Sequence, residues 1–328
     1  MADALPRPKG FAFLETTSAV ERGLPHAVVT LALGGLAGLA AAFVVALLVT
    51  LVGAGVASGS GDLGYATAVD LLAKGEWPAR TLGTYAYELA MVGGASIAAA
   101  AAFIGVAARR AGRPIRTFLT TAPRFRWRHA LVGLAIFLPV VAAEIWLSGL
   151  VNPSDDTAPL AAPGASFQDR LVYIGAAVGF LWCAALAEEI LFRGWLMQQT
   201  RALTRSLIAV LVINAVAFSL AHGDLTLGGF VTRLALGAGW AWIVLRLGGV
   251  EFTAGAHLAN NLGIALLAQP VLLTVSEPEP FDPLSVALQI GTTGALVLGV
   301  EWWVRRKSTS GVDLGDCGAA SSPPPART

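Results

Sequence analysis

Thirty consecutive residues, 27–56, carry no charge. A bilayer's hydrocarbon core is about 30 Å thick and a helix rises ~1.5 Å per residue, so about 20 apolar residues cross it. A secretory signal core needs only about 7–15 such residues and ends in a cleavage site. The run is therefore expected to be a retained transmembrane helix, because inside hydrocarbon a single segment satisfies its own backbone N–H and C=O groups only as a helix. Further long apolar runs cover residues 89–108, 130–151, 171–187 with a continuation to about 197, 207–220, 230–247, 252–268 and 284–304. The fold class that follows is all-α: a polytopic membrane protein of about eight transmembrane helices. Only 13% of the residues are charged, against about 25% in soluble domains.

Lys and Arg in short loops set the orientation, since they stay on the cytoplasmic side. Residues 109–128 hold Arg109, Arg110, Arg113, Arg116, Arg124, Arg126 and Arg128 with no acid. Arg201 and Arg205 follow the fourth run, and Arg305, Arg306 and Lys307 follow the eighth. All fall on one side if both termini are cytoplasmic. The other side then receives Asp155, Asp156 and Asp169, and Glu277, Glu279 and Asp282. The expected organisation is a flexible N-terminus over residues 1–24, a membrane domain over 25–307 and a disordered tail over 308–328. Ala, Gly and Arg richness suits a bacterial protein, which makes the bacterial cytoplasmic membrane the expected location.

A net charge of +1 gives no reason to expect nucleic acid as a partner; the bilayer is the partner that composition demands. Cys183 lies in an apolar run and Cys317 in the polar tail, so neither a disulfide nor a thiolate metal site is expected. Ser60-Gly61-Asp62, after Gly59, reads as a turn outside the membrane.

Ionisable side chains inside such runs cost at least about 2.5–3.5 kcal/mol on insertion scales, so each needs a partner or a purpose. Three clusters stand out. In the first, Glu188 to Arg193, Glu189 and Arg193 lie four apart with the acid N-terminal, the favourable order for a helical ion pair; Glu188 points about 100° away and stays available. The second ends an apolar helix with Phe218 and, one turn on, His222. The third places His257 and Asn261 four apart on one face, with Asn260 projecting elsewhere toward a neighbouring helix.

Together the clusters offer one carboxylate, two imidazoles and an amide on three helices. Glu188, His222 and His257 are a possible ligand set for one divalent metal, zinc above all, with a position open for water. Equally, Glu188 can activate water directly while His and Asn donors stabilise the oxyanion. The same titratable groups also fit a proton relay in a transporter, or a non-proteolytic partner or immunity protein whose polar groups only hold helices together.

The series Glu-Glu-x-x-x-Arg (188–193), Phe-x-x-x-His (218–222) and His-x-x-x-Asn (257–261), in that order on successive apolar helices, resembles the CPBP family of intramembrane metalloproteases. That family includes the CAAX prenyl endopeptidases and the bacteriocin-processing and self-immunity proteins. The resemblance covers residues 171–268 and implies an intramembrane endopeptidase acting on a membrane-associated peptide or protein. By position it implies Glu188 as the catalytic glutamate, Glu189 and Arg193 as its supporting pair, and His222, His257 and Asn261 as the other site residues. It implies either a metal or a metal-free glutamate-activated water.

Straight, perpendicular helices do not bring these groups together. Glu188 and His257 fall in the cytoplasmic half, His222 near the far end of the fifth run. Convergence is expected only if helices tilt, break or begin outside the bilayer.

Overall fold

The computed structural model describes residues 12–59, 64–74, 81–151, 157–270 and 281–309. The expected turn at Ser60-Gly61-Asp62, the acids Asp155, Asp156, Glu277 and Glu279, Cys317 and the tail beyond residue 309 lie outside the described residues. Within them the regular elements are helical, and the backbone bridge between Thr120 and Gly249 is isolated.

Each expected run is a helix. They are α1 (Leu24–Gly59), α3 (Leu82–Ala111), α4 (Trp127–Val151), α5 (Phe167–Glu188), α7 (Leu207–Ala221), α8 (Leu227–Leu247), α9 (Glu251–Leu267) and α10 (Pro283–Thr309). α5 runs on through a π-helical segment, Glu189–Leu196, into α6 (Met197–Leu203), making one 37-residue stretch. Among the described residues, six helical stretches are long and apolar enough to cross a membrane: α1, α3, α4, α5 through α6, α8 and α10. α7, with 15 residues, and α9, with 17, fall short of that length. The difference from eight full spans has a packing reason for α9: thirteen of its residues are buried, so its surroundings are other helices rather than lipid. The amphipathic α2 (Tyr65–Lys74) is too short to register as a run; its Ala68 and Leu72 pack on Ala54 of α1.

The helices α1, α3, α5, α9 and α4 pack in succession, while α8 packs between α7 and α10. Small residues set the central contact. A Cβ on Gly255 of α9 would stand 1.8 Å from the Ala130 carbonyl oxygen of α4, and one on Gly133 of α4 would stand 2.1 Å from the Phe252 oxygen. Two backbones this close exclude any side chain at either position, and glycine is what permits the approach. α9 is thereby pinned at the centre of the bundle.

The described part of the N-terminal segment, from residue 12, is packed where the sequence reading expects flexibility. From Ala12 onward it is described in short 3₁₀ turns; Phe13 and Leu14 are buried against Met197 and Val250. Glu21, also buried, pairs with Arg113 at 3.0 Å, and its carbonyl accepts from Gln199 Nε2 at 2.8 Å. Arg126 pairs with buried Glu251 at 2.7 Å. Two of the arginines read as topology markers are thus also structural ties, drawing the 109–128 loop onto α6 and onto the start of α9.

Candidate active site

Fifteen residues, 189–203, separate Glu188 from the end of its helix, and α7 is fifteen residues long. An antiparallel hairpin of two equal arms returns His222 to the level of Glu188. The sequence reading placed Glu188 near the cytoplasmic end because it closed the helix at about residue 197. The helix instead continues to Leu203, so Glu188 lies ~20 Å inside that end. The convergence follows from the matched lengths of the two arms.

A π-helical turn follows Glu188 directly. The amide of Met197 donates to the Phe192 carbonyl, five residues back, and Asn214 Nδ2 of α7 donates to the same oxygen at 2.6 Å. π turns are rare and are often found at functional positions. Here the turn lies beside a close backbone contact: a Cβ on Gly194 would stand 2.4 Å from the Phe118 oxygen.

The supporting pair is fully buried. Arg193 Nη1 lies 3.1 Å from Glu189 Oε1, and neither side chain reaches solvent. Glu189 also accepts from Thr253 Oγ1 at 2.7 Å and from His257 Nδ1 at 3.2 Å. The Arg193 guanidinium sits over the Phe218 ring at 4.1 Å and near Trp240 at 5.5 Å, an arrangement in which the ring quadrupoles offset part of the cation's desolvation. Phe218 is therefore more than filler.

Both imidazoles are oriented through Nδ1. His257 Nδ1 donates to the Glu189 carboxylate, and its ring lies 4.7 Å from Trp240. His222 Nδ1 donates to the Phe218 carbonyl at 2.8 Å. A carboxylate and a carbonyl only accept, so each Nδ1 carries the proton and each Nε2 is the free ring nitrogen. The two Nε2 atoms each lie 3.7 Å from Glu188 Oε2. That oxygen is shielded from solvent and meets no hydrogen-bond donor of the protein.

Of the sequence-expected set, Glu188, His222 and His257 meet at one point, with Glu189, Arg193 and Phe218 behind them. Asn261 stands one turn beyond His257 and accepts from Asn260 Nδ2 at 3.2 Å; among the described residues no hydrogen bond joins it to Glu188 or to either imidazole. Sequence reasoning missed Thr253, Asn214 and Trp240. A signal for the first two was present: Thr253, His257 and Asn261 form one row at spacing four, as do Asn214, Phe218 and His222, and rows at that spacing share a helix face. Trp240, an apolar residue in an apolar run, gives no such signal.

Among the described residues no group of three His, Cys, Asp or Glu side chains is arranged to hold a metal ion. The expected ligands Glu188, His222 and His257 converge on a carboxylate oxygen without forming a ligand shell. They present one carboxylate oxygen and two ring nitrogens to a common point.

Just past His222, the α7–α8 turn is fixed by Asp224, which accepts from the Thr226 amide and hydroxyl at 3.0 and 2.7 Å and pairs with Arg233 at 2.5 Å. The hydrogen bond from Arg233, followed by that from Thr226, holds the Asp224 carboxyl down to about 2.

Comparison with known proteins converges on the same segment. Residues 170–263 match the family model of the type II CAAX prenyl endopeptidases, Rce1-like. The chain is also similar to the uncharacterized protein YyaK of Bacillus subtilis (strain 168), 26% identical over 217 residues, which is 60% of this chain and 69% of that protein. No solved structure matches. The matched segment contains Glu188, Glu189, Arg193, Phe218, His222, His257 and Asn261. Over this segment the chain is similar to the Rce1-like type II CAAX prenyl endopeptidases, the relationship that its three motifs resemble.

Proposed function

We propose that this protein is an intramembrane endopeptidase of the bacterial cytoplasmic membrane that hydrolyses a peptide bond of a membrane-associated, CAAX-type substrate, with Glu188 as general base. The observation that carries the reading is the meeting of Glu188 Oε2 with two imidazole Nε2 atoms, each at 3.7 Å. A carboxylate facing two free ring nitrogens is suited to hold a water molecule by its hydrogens. Glu188 takes one proton as the water oxygen bonds to the scissile carbonyl carbon. The carbonyl oxygen becomes an oxyanion, stabilised by the carboxamide NH₂ of Asn261, while an imidazole Nε2 holds the hydrogen that stays on the attacking oxygen. Glu188 then returns its proton to the departing amine as the C–N bond breaks. The buried Glu189–Arg193 pair keeps His257 in the required tautomer.

Purified protein in nanodiscs, given a fluorogenic peptide ending in a prenylated CAAX sequence, tests this. Glu188→Gln is expected to lose ~10²–10⁴ of the turnover, the usual contribution of general-base catalysis, while the purified protein keeps its elution volume and thermal midpoint. A Glu188→Gln variant as active as the parent would sink the assignment. Exhaustive chelation is expected to leave turnover unchanged; loss restored by added zinc would move Glu188, His222 and His257 to the metal reading.

A further inference from the structure

Asn261 has a neighbour that the three motifs do not include. Asn260 is buried, and its Nδ2 donates to Asn261 Oδ1 at 3.2 Å. Its own Oδ1 accepts from Gln289 Nε2 of α10 at 3.5 Å. In the same turn of α10 the Gln289 backbone carbonyl accepts from Thr293 Oγ1 at 2.7 Å and Thr292 Oγ1 at 3.2 Å, and Thr292 also donates to Glu144 of α4. Asn260, Gln289 and Glu144 line a cavity of about 220 Å³ shared with Ser148 and Ser285. A row of amides and hydroxyls thus runs from α4 through α10 to α9, ending at a residue one helical turn from His257.

A carboxamide has an acceptor end and a donor end, nearly equal in shape, so only its hydrogen bonds decide which end faces where. Asn260 offers a donor to Asn261 and thereby claims the Oδ1 end. The NH₂ end of Asn261 is left to serve as donor elsewhere. Asn260 keeps its own NH₂ toward Asn261 because Gln289 occupies its oxygen. We propose that Asn260 and Gln289 are positioning residues that fix the Asn261 carboxamide with its NH₂ toward the oxyanion. This deepens the peptidase reading and rests on it. It also makes α10, outside the segment shared with the family, part of the catalytic apparatus.

The test is a double-mutant cycle in the nanodisc assay, with kcat and KM measured separately. Asn260→Asp is isosteric but removes the donor; the Asn261 amide then flips to give its NH₂ to the new carboxylate. The expected result is a kcat about 10–100-fold lower with KM unchanged, the scale of a misplaced oxyanion donor. Asn261→Ala is expected to fall at least as far, and the double variant no further than Asn261→Ala alone. Gln289→Met is expected to lower kcat about threefold to tenfold, with Gln289→Glu failing to restore it because it offers no Nε2 donor. Should Asn260→Asp not assemble, Asn260→Ser removes the same donor without adding charge and must show the same lack of additivity. Parental kcat in the Asn260 variants, or losses that multiply with Asn261→Ala, would overturn the inference while leaving the peptidase reading intact. An active Glu188→Gln variant would instead remove that reading.

Discussion

Arg193 shows what one residue does at membrane depth. Its guanidinium and the Glu189 carboxylate are wholly buried, so removing one partner strands a charge without solvent. Losing half of a buried pair typically costs about 3–5 kcal/mol, because the other half stays desolvated. Arg193→Leu is expected to lower the thermal midpoint or prevent accumulation of folded protein, and a variant with parental stability would show the pair to be dispensable. Asp224 is the half-buried counterpart. Its folded value of about 2 lies below the usual ~3.9 of an unfolded aspartate. Its contribution is therefore complete above about pH 4 and is lost as pH falls through about 2. Partial exposure keeps that contribution small. The stability difference between the parent and Asp224→Asn, followed by calorimetry, is expected to be constant from pH 5 to 8 and to shrink below pH 4.

At the scale of elements, the decisive quantity is matched length. α7 and the stretch 189–203 are arms of equal residue count, and their equality puts His222 opposite Glu188. Inserting one alanine between Leu211 and Val212 would turn everything after it by about 100° and advance it ~1.5 Å. His222 Nε2 would then miss Glu188. Activity is expected to drop to the level of His222→Ala while the protein still inserts and elutes normally; an insertion variant with parental turnover would mean that His222 need not meet Glu188. The tight α4–α9 crossing at Gly133 and Gly255 plays the same part for His257, since it fixes the depth and rotation of α9.

For the whole molecule, one end of the bundle collects basic residues that double as structural ties. Arg113 with Glu21 and Arg126 with Glu251 hold the N-terminal turns and the 109–128 loop over α6 and the start of α9. From the bias of Lys and Arg in short loops we propose that this end faces the cytoplasm. With a cysteine placed at exposed Arg124 and Cys183 and Cys317 replaced by serine, a membrane-impermeant maleimide is expected to label inverted vesicles and not intact cells. Labelling of intact cells would reverse the topology and place the site's approach on the opposite face.

The sequence by itself determined the membrane class, the positions of the helices and the ionisable candidates Glu188, His222 and His257. Each rests on local physics: a charge-free run longer than the bilayer is thick, and ionisable groups such as Glu188 and His257 that no lipid tolerates unaccompanied. It could not determine which helices cross fully, because that depends on helix ends and neighbours: α9 is short, and thirteen of its residues are buried among other helices. Nor did it show that Phe13 and Glu21 are packed, since their partners lie roughly ninety or more residues away in sequence. The tertiary structure alone decided that Glu188, His222 and His257 meet. That meeting depends on where α6 ends, how α7 returns and how closely α4 and α9 approach, and these are sums over many contacts that no local pattern encodes.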